Sequence, residues 1–411
     1  MSTTTWRDLR SWSTPCWRCC ANAARRSIES TLTASDKPPA SQRTVNQTTP
    51  TEEIYMRAAV YQGPRTVTIE NVPDPTIKEP ADLIVKTKVA SMCGSDLYLF
   101  NGEVADLVAP GHTTLGHEIC GEVIETGSAV THFKVGDRVS FPYSVSCGRC
   151  ENCIAGQTAH CLVSGAAVYG FGTAFGDLGG SQAEYVRVPL ADGHLEHVPD
   201  TIADEAAPFL SCNLPSAAIA VHTAAIEPTD TVAVVGCGPT GQLALELVRR
   251  RTGATVFALD PVSFRRERAE KLGANALDAS PDTADASVQT ILDATNGLGV
   301  HKVVEFAGRG AGFDLAVRIA RPGATISGGG VYLEREHPAS LFDMFFKNLQ
   351  LRLNGFANVK TAQWQAKRLI ESKVIDPTAV VTHRVKLDEF PSAATQFADR
   401  APGFLKMLIT P

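Results

Sequence analysis

Residues 147–161 read CGRCENCIAGQTAHC and place Cys147, Cys150, Cys153 and Cys161 in one short segment, four of the chain's 11 cysteines. Sulfurs so close along the chain are poorly placed to cross-link with one another. They wrap readily around one tetrahedral Zn²⁺, which takes four thiolates at about 2.3 Å. A second group of reactive residues precedes them. Cys93 lies in VASMCGSDLYLFNG and His117 in TLGHEICGEVIETGS, followed at once by Gly94-Ser95-Asp96 and by Glu118. A lone cysteine and histidine at that separation are more often packed core residues than ligands. They gain meaning only beside other metal and cofactor signals.

The cofactor signal is TVAVVGCGPTGQLALELVRRRTGATVFALD, from Thr231 to Asp260. An apolar run suits a buried parallel strand. Gly236, Gly238 and Gly241 follow in G-x-G-x-x-G spacing, with Pro239 and Thr240 between the last two. The first glycine permits the tight turn, the second lets the backbone approach a pyrophosphate, and the third lets helix and strand pack closely. The phosphates then meet the helix N-terminus, whose free N–H groups favour anions. Leu243, Leu247 and Val248 share one helical face, and a second strand ends in Asp260. A carboxylate there accepts both ribose hydroxyls and repels a 2′-phosphate, which favours NAD over NADP.

Further alternation extends the pattern. KVVEFAG (302–308) and ATISGGG (324–330) read as strands; SFRRERAEKLGA and AGFDLAVRIARPG read as helices ending in Gly or Pro-Gly. Together these predict a doubly wound sheet over roughly 216–355. MRAAVYQGPRTVTIENVP, from Met56, alternates like two short strands around Gly63-Pro64.

The chain has 411 residues, 44% hydrophobic and 20% charged, enough for two or three domains with a large core. No uninterrupted apolar stretch of about 18 residues occurs, so no transmembrane helix is expected. The net charge of −6 argues against a nucleic-acid binder. Residues 1–55 are polar, carry a net charge of +2 and lack periodicity. The expectation is a disordered extension, or an upstream start preceding a true first residue at Met56. The competing readings are an organellar transit peptide, from Arg7, Arg10, Arg18, Arg25 and Arg26, and a metal or redox role for Cys16, Cys19 and Cys20.

Taken in order, CGSD, GHEICGEVIETGSAVTHFKVGDRV, CGRCENCIAGQTAHC, GGSQAEYVRVP and VAVVGCGPTG resemble the zinc-dependent alcohol dehydrogenases of the medium-chain dehydrogenase/reductase superfamily. The resemblance covers essentially all of 56–411. It implies an α/β chain: a GroES-like, β-rich catalytic domain (56–215, with a zinc lobe near 145–165, completed by 356–411) and a Rossmann nucleotide-binding domain (216–355). It implies that Cys93, His117 and Cys212 hold a catalytic zinc, while Cys147, Cys150, Cys153 and Cys161 hold a structural one, two Zn²⁺ per chain. Glu118 matches a residue that approaches the catalytic metal, Asp96 one that orients His117, and Ser95 the hydroxyl that takes the substrate proton. Family members with a full proton relay often have a histidine where this chain has Tyr98; a phenol still passes a proton or hydrogen-bonds a ribose, so Tyr98 stays a catalytic candidate, but it does not titrate near neutral pH and a more alkaline profile is expected.

The activity so implied is hydride transfer between an alcohol and NAD⁺. A polyol, amino-alcohol or formaldehyde dehydrogenase shares every one of these motifs, with Tyr98 and Tyr143 as wall residues. A noncatalytic nucleotide-binding protein with structural zinc alone, or a zinc-ribbon nucleic-acid module at 147–161, are the rivals of other classes. Cys120, Cys237, His112, His194 and His222 are assigned packing or surface roles. The resemblance also implies a homodimer or homotetramer paired through ATISGGGVYLE and FKNLQLRLNGF, with no nucleic-acid or membrane partner. Thiolate ligands suit a cytoplasmic, reducing compartment.

Overall fold

The computed structural model describes residues 54–334 and 336–411. The expectations for residues 1–53, including Cys16, Cys19 and Cys20, lie outside the described residues.

Strands β1 (Tyr55–Gly63) and β2 (Thr66–Pro73) pair antiparallel across Pro64-Arg65, with a bulge between Tyr61 and Gly63. Period-two alternation sends Met56, Ala58 and Val60 into one apolar cluster and Ala59 and Tyr61 into another. Five further strands, β3 (Leu83–Ser91), β4 (Glu118–Thr126), β5 (Arg138–Ser140), β6 (Tyr185–Val188) and β7 (Glu196–His197), build a sheet around β3. Leu83 and Val85 of β3 pack with Ile119 and Val123 of β4 over Phe141 and Tyr169.

A parallel sheet follows: β8 (Val232–Val235), β9 (Val256–Asp260), β10 (Asn275–Asp278), β11 (Val300–Glu305), β12 (Ala320–Gly328) and β13 (Gln350–Leu353). Its order is β10-β9-β8-β11-β12-β13, the doubly wound arrangement with its switch point between β8 and β11. Both faces of β8 are covered, which explains its unbroken apolar run. Val232 and Val234 join the core on one side; Ala233 and Val235 join the core on the other. The helix Pro239–Arg249 buries Leu243, Leu247 and Val248. At about 1.5–3 kcal/mol per fully buried large aliphatic side chain, these faces hold the sheet between its helices.

Two expectations need adjusting. The helix Gly310–Ile319 ends three residues before Pro322, and Arg321-Pro322-Gly323 belongs to the irregular start of β12. That strand also stops at Gly328, short of Val331–Glu334. The glycines at 328–330 are closely packed; a Cβ on Gly330 would lie 2.5 Å from the Gly308 nitrogen.

The chain then returns. Strand β14 (His383–Lys386) pairs parallel with β15 (Met407–Thr410), and β15 pairs antiparallel with β3 at Ala90 and Ser91. The C-terminus thus completes the first sheet beside the strand that leads to Cys93.

Candidate active site and metal centres

The antiparallel register places Ser91 of β3 opposite Glu118 of β4. Cys93, two residues beyond one partner, and His117, one residue before the other, must therefore emerge at the same end of the sheet. Cys212 arrives from elsewhere, in an irregular conformation just before the helix Asn213–Thr223. Ligand atoms of Cys93, His117, Glu118 and Cys212 all lie within 4.8 Å of one another. The Cys93 and Cys212 sulfurs are 3.9 Å apart. Two thiolates on one tetrahedral zinc stand about 3.8 Å apart at a 2.3 Å bond length, so the donor set fits that ion. The imidazole suits it equally.

Asp96 supports the ligands from behind. Its Oδ2 accepts the Cys93 N–H at 2.9 Å, and its Oδ1 stands 2.9 Å from His117 Nδ1 without the straight geometry of a hydrogen bond. Both side chains are buried. The contact occupies the Nδ1 side of the ring and leaves Nε2 for a metal. Ser95, half-buried, lines the cleft.

Glu118 is fully buried, and its Oε2 accepts from Lys406 Nζ at 2.6 Å. Lys406 is buried as well; its Nζ also donates to the Met92 carbonyl at 2.8 Å and lies 5.6 Å from the Phe209 ring centroid. Glu118 Oε1 has no hydrogen-bond partner. Burial pushes the Glu118 carboxyl up to about 7, against the pull of Lys406. A Glu118 oxygen thus stands within 4.8 Å of the donor atoms on a group that burial makes reluctant to ionise.

The second centre is local. Cys147, Cys150, Cys153 and Cys161 converge from one loop, the Cys150 and Cys161 sulfurs 3.9 Å apart. Main-chain N–H groups point at the sulfurs: Cys150 N at 3.3 Å and Arg149 N at 3.5 Å from Cys147 Sγ, with Cys147 N at 3.3 Å and Ser164 N at 3.5 Å from Cys161 Sγ. Such donors favour thiolates. This set also fits a tetrahedral zinc.

The glycine motif has the form its spacing demands. Gly236 follows β8 at φ +86°, and a Cβ there would lie 2.4 Å from the Ala307 nitrogen; one on Gly241 would lie 1.9 Å from the Gly236 oxygen. Above Gly238 the space is open, with only Arg265 Nη1 at 3.9 Å from such an atom. Pro239 begins the helix and Thr240 Oγ1 accepts from the Asn213 amide at 3.1 Å. Asp260 ends β9, accepting the N–H of Cys237 and of Val262, each at 2.8 Å, with Arg265 Nη1 3.6 Å away. The open turn and the acid beside it fit a dinucleotide. Gly238, Asp260, Cys93, His117 and Cys212 line one cleft of 1160 Å³.

Tyr98 has a different setting from a relay. Its hydroxyl lies 2.6 Å from the Val331 oxygen and 2.9 Å from the Gly308 oxygen, so its single proton is directed at main-chain carbonyls beyond β12 and β11. Arg309 stacks over its ring at 4.5 Å and binds Glu103 through both terminal nitrogens. Burial pushes the phenol up to about 12.

Residues 79–200 match the alcohol dehydrogenase GroES-like domain, and residues 239–371 match the zinc-binding dehydrogenase domain. A medium chain reductase/dehydrogenase, ucsI, of an Acremonium species is 36% identical over 286 residues, 67% of this chain and 94% of that protein. This chain belongs to the zinc-dependent alcohol dehydrogenase family. Among solved structures it is similar to alcohol dehydrogenase TADH from Thermus sp. ATN1, with a TM-score of 0.78 and 33% identity over 86% of this chain and 99% of that one. It is also similar to a zinc-binding dehydrogenase from Sinorhizobium meliloti 1021 bound to NADP, with a TM-score of 0.72 and 29% identity over 87% and 99%. Family membership makes the chain an oxidoreductase of the zinc-binding dehydrogenase type.

The remaining candidates have plain surroundings. Cys120 and Cys237 are buried thiols pushed up by burial. His194 is buried, its Nε2 2.9 Å from the Tyr169 hydroxyl, while His112 and His222 are exposed. Tyr143 lines the cleft. Sequence reading missed Lys406 and Arg265. Lys406 did carry a signal: it is a single charge in the apolar run FLKMLIT. Arg265 lies among ordinary charged neighbours in SFRRERAEK. No helix among the described residues is long and apolar enough to cross a membrane.

Proposed function

We propose that this chain is an NAD-dependent dehydrogenase that interconverts a primary or secondary alcohol and its aldehyde or ketone, with two zinc ions per chain. The observation that carries the reading is the buried Cys93–His117–Cys212 donor set in the wall of the cleft that also contains Gly238 and Asp260. When bound, zinc supplies Lewis-acid polarisation of a hydroxyl oxygen, and the nicotinamide supplies the hydride acceptor or donor. The chain's residues do the rest. Cys93, His117 and Cys212 would hold the metal, and Asp96 fixes the imidazole. Glu118, held by Lys406, keeps its carboxylate near the donor set. Ser95 is placed to take the substrate's proton outward. The turn at Gly236–Gly241 receives the pyrophosphate, and Asp260 receives the adenosine ribose. Cys147, Cys150, Cys153 and Cys161 clamp their loop around the other zinc.

NAD rather than NADP is favoured because a carboxylate, Asp260, ends β9, although Arg265 beside it weakens the repulsion of a 2′-phosphate. A homodimer or homotetramer is supported by β13, an edge strand exposed along its length, and by the exposed Leu341, Phe342, Phe345 and Phe346 nearby. The thiolate-rich sites suit the cytoplasm. We assign residues 56–215 and 356–411 to the catalytic part and 216–355 to the nucleotide part.

The test is NADH absorbance with zinc-replete protein and a panel of alcohols, each offered NAD⁺ and NADP⁺. Turnover with NAD⁺ supports the reading. A preference for NADP⁺ overturns the role of Asp260, and silence across the panel with only one zinc bound overturns the catalytic reading.

A further inference from the structure

We propose that the substrate is an alcohol or aldehyde with an apolar, aromatic or otherwise planar carbon skeleton and no second hydroxyl near the reacting carbon. The inference rests on the alcohol dehydrogenase reading above and decides among the substrate classes that the motifs share.

The side chains around the donor set carry it. An aromatic wall runs through His117. Phe171 lies 5.7 Å from the His117 ring, and Phe175 lies 6.0 Å beyond Phe171. On the other side Tyr143 lies 6.2 Å from His117, Phe356 lies 5.7 Å from Tyr143, and His160 lies 5.2 Å from Phe356. All six line the cleft. Val168 and Ile219 join Tyr143, Phe171, Phe175 and Cys212 in one apolar cluster. The metal donors are thus set in a hydrocarbon surface made mostly of ring faces and edges. Such surfaces reward flat apolar groups by offset or edge-to-face packing.

The amide and phenol groups of Tyr143, Asn354 and Asn358 on this side are already engaged. The Tyr143 hydroxyl donates to the Ala357 carbonyl at 2.7 Å. Asn358 donates to Gln157 Oε1 at 3.1 Å and accepts the Ala159 N–H at 3.0 Å. The Asn354 amide donates to Thr223 Oγ1 at 2.9 Å and to Arg352 O at 3.1 Å. Asp260, Arg265, Arg309, Asp314 and Arg318 also line the cleft, but from the parallel-sheet half. Arg400 follows the helix Phe390–Ala398. Ser95 and Ser216 are the hydroxyls left on the cleft near the donors. A polyol would bring several hydroxyls against ring faces with only Ser95, Ser216 and the exposed His160 imidazole to receive them, and a buried hydroxyl without a partner is strongly disfavoured. Formaldehyde would leave the wall without contact.

The test compares kcat/KM for benzyl and cinnamyl alcohol with that for ethanol, sorbitol and 2,3-butanediol, using zinc-replete protein and NAD⁺. The aromatic alcohols are expected to lead the polyols by about 100-fold or more. A second readout needs no turnover: calorimetric binding of cinnamamide, an unreactive analogue, to the protein with NADH. Phe171→Ala is expected to weaken that binding about tenfold. Phe356→Ala, at a more exposed position, provides the same test should Phe171→Ala fold poorly. Highest activity with sorbitol or butanediol overturns the inference and leaves the dehydrogenase reading intact. Turnover of none of these alcohols, with cinnamamide bound and weakened by either variant, supports the chamber and sinks the dehydrogenase reading. Cinnamamide binding that is absent, or unchanged in both variants, overturns the inference whatever the turnover.

Discussion

The two candidate metal centres are built in opposite ways from the same residue type. The 147–161 loop gathers its four sulfurs from neighbours in sequence and braces them with its own N–H groups. Cys147 and Cys150 remain partly open to solvent. The centre at Cys93, His117 and Cys212 draws on three distant segments, and a fourth, the C-terminal return, delivers Lys406 to Glu118. One site is closed by four equal donors. The other mixes two sulfurs with an imidazole and opens on a cleft. A structural zinc needs only a saturated cage, whereas a catalytic one needs a free position and surroundings that control charge. Local chain can supply the first; only packing supplies the second.

The sharpest way to break this contrast is Cys212→Ala. It is expected to lower turnover by about 10³-fold or more and to reduce zinc content from two per chain to one. Cofactor binding, followed by NADH fluorescence, should stay within about twofold. Undiminished turnover ends the assignment of that centre.

Cys153→Ser tests the other half. The loop has little core of its own, so losing its zinc is expected to lower the melting temperature by about 10 °C. Metal at the Cys93 centre should remain, as read by zinc analysis. A variant that loses both zincs but melts normally would reverse the two roles.

Lys406→Met sharpens the contrast further, because the loop centre has no such partner. Removing one member of a buried ion pair typically costs about 3–5 kcal/mol. The Lys406→Met, Glu118→Gln double variant should recover most of that loss in urea unfolding. Full additivity of the two single losses would show that the pair is not coupled.

The smallest effect is expected at Tyr98, which ties the segment carrying Cys93 to the parallel-sheet half. Tyr98→Phe removes a net contribution of about 1 kcal/mol and should raise the KM for cofactor severalfold without changing zinc content. With its phenol near 12, Tyr98 adds no break to the activity profile between pH 6 and 9. Tyr98→His adds a group that loses its proton near 6.5. As a base it becomes available above that pH, so alcohol oxidation should extend to lower pH. An unchanged profile removes Tyr98's position from the proton path.

Much of this was legible in the chain itself, where the chemistry is local. The four-cysteine loop, the strand-turn-helix at 232–249 and the acid ending β9 each depend on spacing within a few dozen residues. Backbone geometry turns such spacing into one outcome. The two sheet orders, by contrast, follow from pairing between distant strands. So do the meeting of Cys93 with Cys212, the burial of Lys406 against Glu118 and the capture of the Tyr98 hydroxyl by Gly308 and Val331. The aromatic wall from Phe175 to His160 belongs with them: its members are scattered from 117 to 356 and look like ordinary core residues along the chain. Sequence alone determined which donors and which cofactor turn this protein carries, because those are properties of residue type and local period. Tertiary structure alone decided what surrounds them, because burial, charge partners and the shape of a cavity arise only when segments far apart in sequence exclude water together.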